Sequence, residues 1–152
     1  MKCLSLTNPF GPLIVLGKKS VETRGWKTHW RGQLAIHASK GFPGEAKRFC
    51  ESRMVCQALG WQECPSPLTQ EWLDDMKHKI KALPLGCVIG TVNLVDCVRV
   101  ESIREKLPEQ ELAFGNYDDG RYAWILEDPK PLPHIPAKGA LGLWEFAIAR
   151  SE

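Results

Sequence analysis

Residues 87–95 read Cys-Val-Ile-Gly-Thr-Val-Asn-Leu-Val, and the reading of this stretch decides the fold. From Gly86 the apolar period ceases to be helical and becomes that of a long, mostly buried strand, with Gly90 as a bulge or bend. On its N-terminal side, Leu68, Trp72, Met76 and Ile80 recur every four residues and predict a helix ending near Pro84. Residues 45–59 carry Ala46, Phe49, Cys50, Cys56 and Leu59 at roughly helical spacing and predict one more helix. Before these, Cys3 to Leu6, Ser20 to Arg24 and Gln33 to His37 read as strands. Asn8-Pro9 supplies an N-cap and a first-turn proline for a helix that runs to about Leu16 and stops at Gly17. On the C-terminal side, Ser102 to Leu107 reads as a short helix ended by Pro108, and Asp118-Asp119-Gly120 as a turn. Arg121 to Leu126 and Leu143 to Ile148 read as the last strands. The proline-rich run from Asp128 to Pro136 is where disorder is expected.

Six or so strands, with helices inserted early and none between the final strands, argue for an α+β chain and against a doubly wound sheet. The expected form is a small mixed or antiparallel β-barrel with helices packed on one side. At 152 residues one domain, spanning 1–152, suffices. A formal charge of +2 is too small to argue for a polyanionic partner, so any nucleic-acid reading must come from local arrangement. Met1 to Leu6 lacks the apolar region of a signal peptide, and no apolar run approaches the ~20 residues a bilayer needs. The expectation is a cytoplasmic protein without a membrane partner. Six cysteines, at 3, 50, 56, 64, 87 and 97, have no zinc spacing, and neither do His29 and His134. They read as reduced thiols used as small core residues, with no metal and no cofactor expected.

Residues 17–26, Gly-Lys-Lys-Ser-Val-Glu-Thr-Arg-Gly-Trp, concentrate Lys18, Lys19, Glu22 and Arg24 where a helix hands over to a strand. In a regular strand Glu22 and Arg24 share one face while Lys19 and Thr23 share the other. Lys19 therefore meets Glu22 only if it still belongs to the turn begun by Gly17. The alternative is a set of exposed ion pairs that blunt a sheet edge and contribute little energy. Trp26, Trp30, His37, Ser39 and Lys40 form a second group, in which an aromatic face beside basic side chains can stack a nucleobase. Trp72, Trp124 and Trp144 are assigned to the core.

Taken together, Leu4-Ser5-Leu6-Thr7-Asn8-Pro9, Gly17-x-Lys19-x-x-Glu22-x-Arg24-x-Trp26, Ile36-His37-Ala38-Ser39-Lys40, Gly90-Thr91-Val92, Phe114-Gly115, Gly120-Arg121-Tyr122-Ala123-Trp124 and Gly142-Leu143-Trp144 resemble the ASCH domain, a branch of the PUA-like superfamily. The resemblance implies a PUA-like barrel with a cleft. It also implies either RNA binding, with a ribonuclease variant, or amide hydrolysis of N4-acetylcytidine-type nucleosides. In the amidohydrolase branch a lysine and a threonine of this segment act with a later glutamate. The match places Lys19 on the lysine, Glu22 where threonine would stand, and Glu111 on the glutamate, with Thr23 and Glu109 as fallbacks. The catalytic set implied is Lys19 for charge stabilisation, Glu22 as general base on water and Glu111 as its partner or acid. Arg24, Trp26, His37, Ser39, Lys40 and Arg121 are the implied substrate contacts, and Tyr122 either lines the cleft or fills the core. The implied partners are a nucleoside or RNA; DNA is not implied.

Overall fold

The computed structural model describes residues 1–147. Strands β1 (Lys2–Leu6), β2 (Val21–Arg24), β3 (Gly32–Ala38), β4 (Cys87–Arg99), β5 (Tyr122–Pro136) and β6 (Leu143–Glu145) form one sheet in the order β2-β5-β4-β3-β1-β6. β1 and β3 run parallel, and the other neighbouring pairs are antiparallel. The sheet curls into a half-barrel with helices on one side, the α+β architecture expected. The helices are α1 (Phe10–Val15), α2 (Gly44–Phe49), α3 (Arg53–Leu59), α4 (Gln70–Lys81) and α5 (Glu109–Ala113).

Register breaks produce the curl. β4 and β5 shift register three times, and the first break adjoins Gly90. A Cβ on Gly90 would lie 2.5 Å from the Lys130 carbonyl oxygen and 2.6 Å from Val15 Cγ1, so only glycine lets β5 and α1 close on the bend from both sides. The proline-rich run is therefore strand and not disordered, since Gly90 faces Pro131 and Cys87 faces Pro136 in the ladder. β2 pairs only with residues 122–125 of β5. Beyond them one side of β5 is an open edge, where a residue without an N–H leaves no ladder bond unmade.

Helix α1 is the wedge between sheet and helices. Ile14 and Val15 join the barrel core around Leu34, Ile36, Leu94 and Trp124, whereas Leu13 packs outward on Val55, Ala58 and Phe114. Each fully buried leucine of this kind contributes ~2 kcal/mol. The expected N-cap is corrected: Asn8 is fully buried and its Nδ2 donates to the Pro84 carbonyl at 2.7 Å, while Phe10 N–H bonds back to Thr7 O at 3.0 Å. The single helix expected over 45–59 is two, because Ser52 turns extended and accepts the Val55 N–H at 3.4 Å as the cap of α3. Leu68 stays exposed ahead of α4. Residues 100–106 form two 3-10 turns in place of the short helix, and α5 follows Pro108 where the sequence signalled only a helix stop. The last strand ends at Glu145; the expected residue Ile148 lies outside the described residues.

Five of the six thiols are buried and none is bridged; Cys64 alone is exposed. Burial pushes the Cys3 and Cys50 thiols up to about 12, which keeps them protonated and inert. Among the described residues no cluster of three or more histidines, cysteines or carboxylates is placed to hold a metal, and no helix is long and apolar enough to cross a membrane.

Candidate functional site

Gly17, at φ +75°, ends α1 in the left-handed conformation, and the N–H groups of Lys18 and Lys19 both return to the Leu13 carbonyl, at 2.8 and 3.0 Å. Lys19 thus belongs to the turn and not to β2. Its side chain folds inward, only 2% of the residue is exposed, and Nζ donates to the Val21 carbonyl while lying 3.9 Å from Glu22 Oε2. Glu22 shares a ladder rung with the fully buried Trp124, so its carboxylate is drawn inward and 13% of the side chain remains exposed. Arg24 Nη1 lies 3.5 Å from its other oxygen, and the Arg24 guanidinium packs over the rings of Trp26 and Trp124.

Burial dominates the protonation of both partners. It lowers the Lys19 ammonium from its ordinary value in spite of Glu22 and Glu111, and raises the Glu22 carboxyl in spite of Lys19, Arg24 and Arg121. Desolvation thus works against the neighbouring carboxylates, which favour the Lys19 ammonium.

Glu111 stands behind this pair. Its carboxylate accepts from Ser20 N–H at 3.1 Å, Val21 N–H at 2.9 Å and Ser20 Oγ at 3.3 Å. One side chain on α5 thereby satisfies two backbone N–H groups at the entry to β2, an edge strand of the sheet. Lys19, Glu22 and Arg121 line a cavity whose walls do not include Glu111. That cavity, about 320 Å³, is walled by Phe10, Phe49 and Phe114 and by Thr23, Gly115 and Asn116. Thr23 Oγ1 accepts the Asn116 N–H at 3.1 Å, and Arg121 donates to Asn116 O at 3.1 Å and Thr23 O at 3.2 Å. Tyr117 is half-buried nearby with its hydroxyl buried and unpaired, and desolvation together with Glu111 and Glu22 raises its pKa.

A second, larger cavity of about 770 Å³ takes the other expected contacts: Arg24, His37, Ser39 and Lys40, together with Ser5, Thr7 and residues 137–142. His37 is buried at its floor, with Nε2 2.8 Å from the Ala137 carbonyl and Nδ1 2.9 Å from Ser5 Oγ. Nε2 must donate to the carbonyl, so the Ser5 hydroxyl donates to Nδ1 and accepts from Trp144 Nε1–H at 3.0 Å. Trp144 is accordingly half-buried in a polar chain and not a plain core residue. Trp26 is exposed and stands edge-on to Trp124; Trp30 lies apart, beside Lys2 and Glu145. Tyr122 faces neither cavity: it packs on the barrel core with the Arg99 guanidinium 5.5 Å from its ring centre. Sequence reasoning missed the three phenylalanine walls, although Phe114-Gly115 stood among the motif residues, and it missed Lys138 and its loop altogether.

The family model of the ASCH domain matches residues 4–136. Activating signal cointegrator 1 from Homo sapiens and from Mus musculus are each 27% identical over 145 residues, covering 95% of this chain and 22% of theirs. The chain spans about a fifth of the length of the curated relatives it matches. Among solved structures, ASCH from Zymomonas mobilis aligns with a TM-score of 0.48 at 20% identity, covering 89% of this chain and 72% of that one. A point mutant of that protein aligns with the same TM-score at 18% identity, covering 89% and 74%.

Proposed function

From the premise that the chain belongs to the ASCH domain family, we propose that it is an RNA-binding module that receives a pyrimidine base of cytosine type in the phenylalanine-walled cavity. The observation that carries this reading is the convergence of Lys19 and Glu22, 3.9 Å apart, on a cavity of about 320 Å³ with three aromatic walls. A flat heterocycle requires apolar faces above and below and polar groups at its rim. Cytosine presents an amino donor beside a ring-nitrogen acceptor, and a carboxylate beside an ammonium is the complementary pair. RNA is favoured over a free nucleoside by the cations Arg24 and Lys40, which line the larger cavity together with Ser39.

The second reading is hydrolysis of an N4-acylated cytosine in the same place, and the raised Glu22 carboxyl favours it. A general base works best when its pKa approaches the working pH, and Lys19 is positioned to face a developing oxyanion. This reading lacks a second free carboxylate, because Glu111 is engaged by the backbone of Ser20 and Val21. The balanced reaction needs only water: Glu22 takes a proton as the hydroxide adds to the acyl carbon, and the C–N bond then breaks with that proton passing to the leaving amine.

Titration of the protein with cytidine, N4-acetylcytidine and a short cytosine-containing RNA, followed by absorbance for released cytidine, tests both. Saturable binding without turnover, weakened at least tenfold by Lys19→Met, is the expected result. Turnover abolished by Glu22→Gln would establish the hydrolase instead. Binding that ignores both substitutions would overturn the base pocket.

A further inference from the structure

The larger cavity has a chemistry of its own, distinct from that of the base pocket. Its lining holds three cations, Arg24, Lys40 and Lys138, three hydroxyls, Ser5, Thr7 and Ser39, and no carboxylate. Arg24 is shared with Glu22, whereas Lys40 and Lys138 make no ion pair among the described residues. The cations are thus concentrated around a concavity and left uncompensated there, in a chain whose formal charge is only +2.

A second observation comes from the backbone. Residues 137–142, Ala-Lys-Gly-Ala-Leu-Gly, cross the cavity as a strap that is fixed at its start. Ala137 N–H donates to Gly86 O at 3.1 Å, and Ala137 O receives His37 Nε2–H at 2.8 Å. From Lys138 to Gly142, five successive N–H groups have no acceptor among the described residues. Gly139 brings the strap down onto the floor: a Cβ there would lie 2.7 Å from both His37 Cε1 and Ser5 Oγ. Consecutive unpaired amides on a held, glycine-containing loop beside lysines and hydroxyls are donors available to the oxygens of an anion.

We propose that this cavity binds a phosphomonoester, the terminal phosphate of the nucleic acid whose base enters the smaller pocket. The charge favours a monoester over an internal diester. A terminal phosphate carries about −1.5 to −2 at neutral pH, which two unpaired lysines and a shared arginine match better than they match the single charge of a diester. His37, buried at the floor, closes the cavity beneath these cations. Arg24, touching this cavity and paired with Glu22 of the other, is the side chain that spans base and phosphate.

The proposal rests on the RNA reading for the source of the phosphate, though not for the site itself. The test uses the full chain and one short oligoribonucleotide in three forms: with a 5′-phosphate, with a 3′-phosphate and with neither. Inorganic phosphate serves as competitor, and binding is followed by fluorescence anisotropy. One phosphorylated form is expected to bind at least tenfold tighter than the unphosphorylated one. The Lys40→Ala/Lys138→Ala double variant should erase that difference, and millimolar inorganic phosphate should compete it away. Lys19→Met should weaken all three forms alike and leave the difference intact. Equal affinity for the three forms, or a difference that survives the double variant, sinks the phosphate site while leaving the RNA reading standing. Saturable binding of inorganic phosphate that Lys138→Ala abolishes, in the absence of any RNA affinity, sinks the RNA reading while the site stands and takes a free phosphate. No binding of either sinks both.

Discussion

The two cavities are linked through Arg24, which lines the larger and pairs with Glu22 of the smaller, and they are built on opposite principles. In the smaller one the charges are buried, mutually compensated and expensive to keep: Lys19 is 2% exposed, and both it and Glu22 are displaced from their ordinary protonation by loss of water. In the larger one the cations Lys40 and Lys138 are exposed and uncompensated, and His37 at the floor is buried. Buried ion pairs contribute little to stability but hold their geometry rigidly, and removing one partner is costly. Exposed lysines add almost nothing to folding and remain free to act on a ligand. The first region suits recognition by shape and hydrogen bonding, the second by charge.

The largest expected effect lies behind the smaller cavity. Glu111→Ala leaves the Ser20 and Val21 N–H groups without their acceptor at the entry to β2. It should destabilise the fold by ~3 kcal/mol, read as a lowered urea midpoint. A change below ~1 kcal/mol would show that this carboxylate is not the structural anchor of the charged turn. On the other side of the comparison, Gly139→Ala drives a methyl into the His37 ring, both of whose nitrogens are already engaged. The strap must rise, at ~1–3 kcal/mol. Any phosphate dependence of binding should disappear while cytidine affinity stays; loss of both together would mean the two cavities are one site.

The smallest effect is the pH dependence of Glu22. Because burial raises its carboxyl, the fold retains that proton at pH values where the unfolded chain has released it. The stabilisation is fullest below the ordinary carboxylate range and is lost as pH rises through the raised value. Glu22→Gln is neutral throughout, so the unfolding midpoint of the variant relative to the parent should shift in the variant's favour as pH rises above the ordinary carboxylate range. A shift of the opposite sign would mean that Lys19, Arg24 and Arg121 outweigh burial.

Much of the fold was legible because it rests on period. Cys87 to Val95 alternates to no helical rule and became the central strand, and Leu13 to Val15 before Gly17 became a buried wedge with a left-handed stop. Failures cluster where long-range pairing overrides local preference. Proline content argued against order over 128–136, yet one flank of β5 is an unpaired edge that tolerates it. Helical spacing over 45–59 could not reveal that Ser52 breaks the run, nor that α5 would begin after Pro108 to deliver Glu111. In the site, the pairing of Lys19 with Glu22 hinged on whether Lys19 left the turn, and the Leu13 carbonyl decided it.

By itself the sequence determined the chemical kinds present: an ammonium and a carboxylate three residues apart after a helix-stopping glycine, strands rich enough in apolar residues to bury their neighbours, and thiols without metal spacing. Only the tertiary structure decided which charges lost their water, since desolvation depends on what packs above a side chain and not on its place in the chain. It alone set Glu111 to hold backbone, gathered Phe10, Phe49 and Phe114 from three separate segments into one wall, and laid the strap of residues 137–142 across His37.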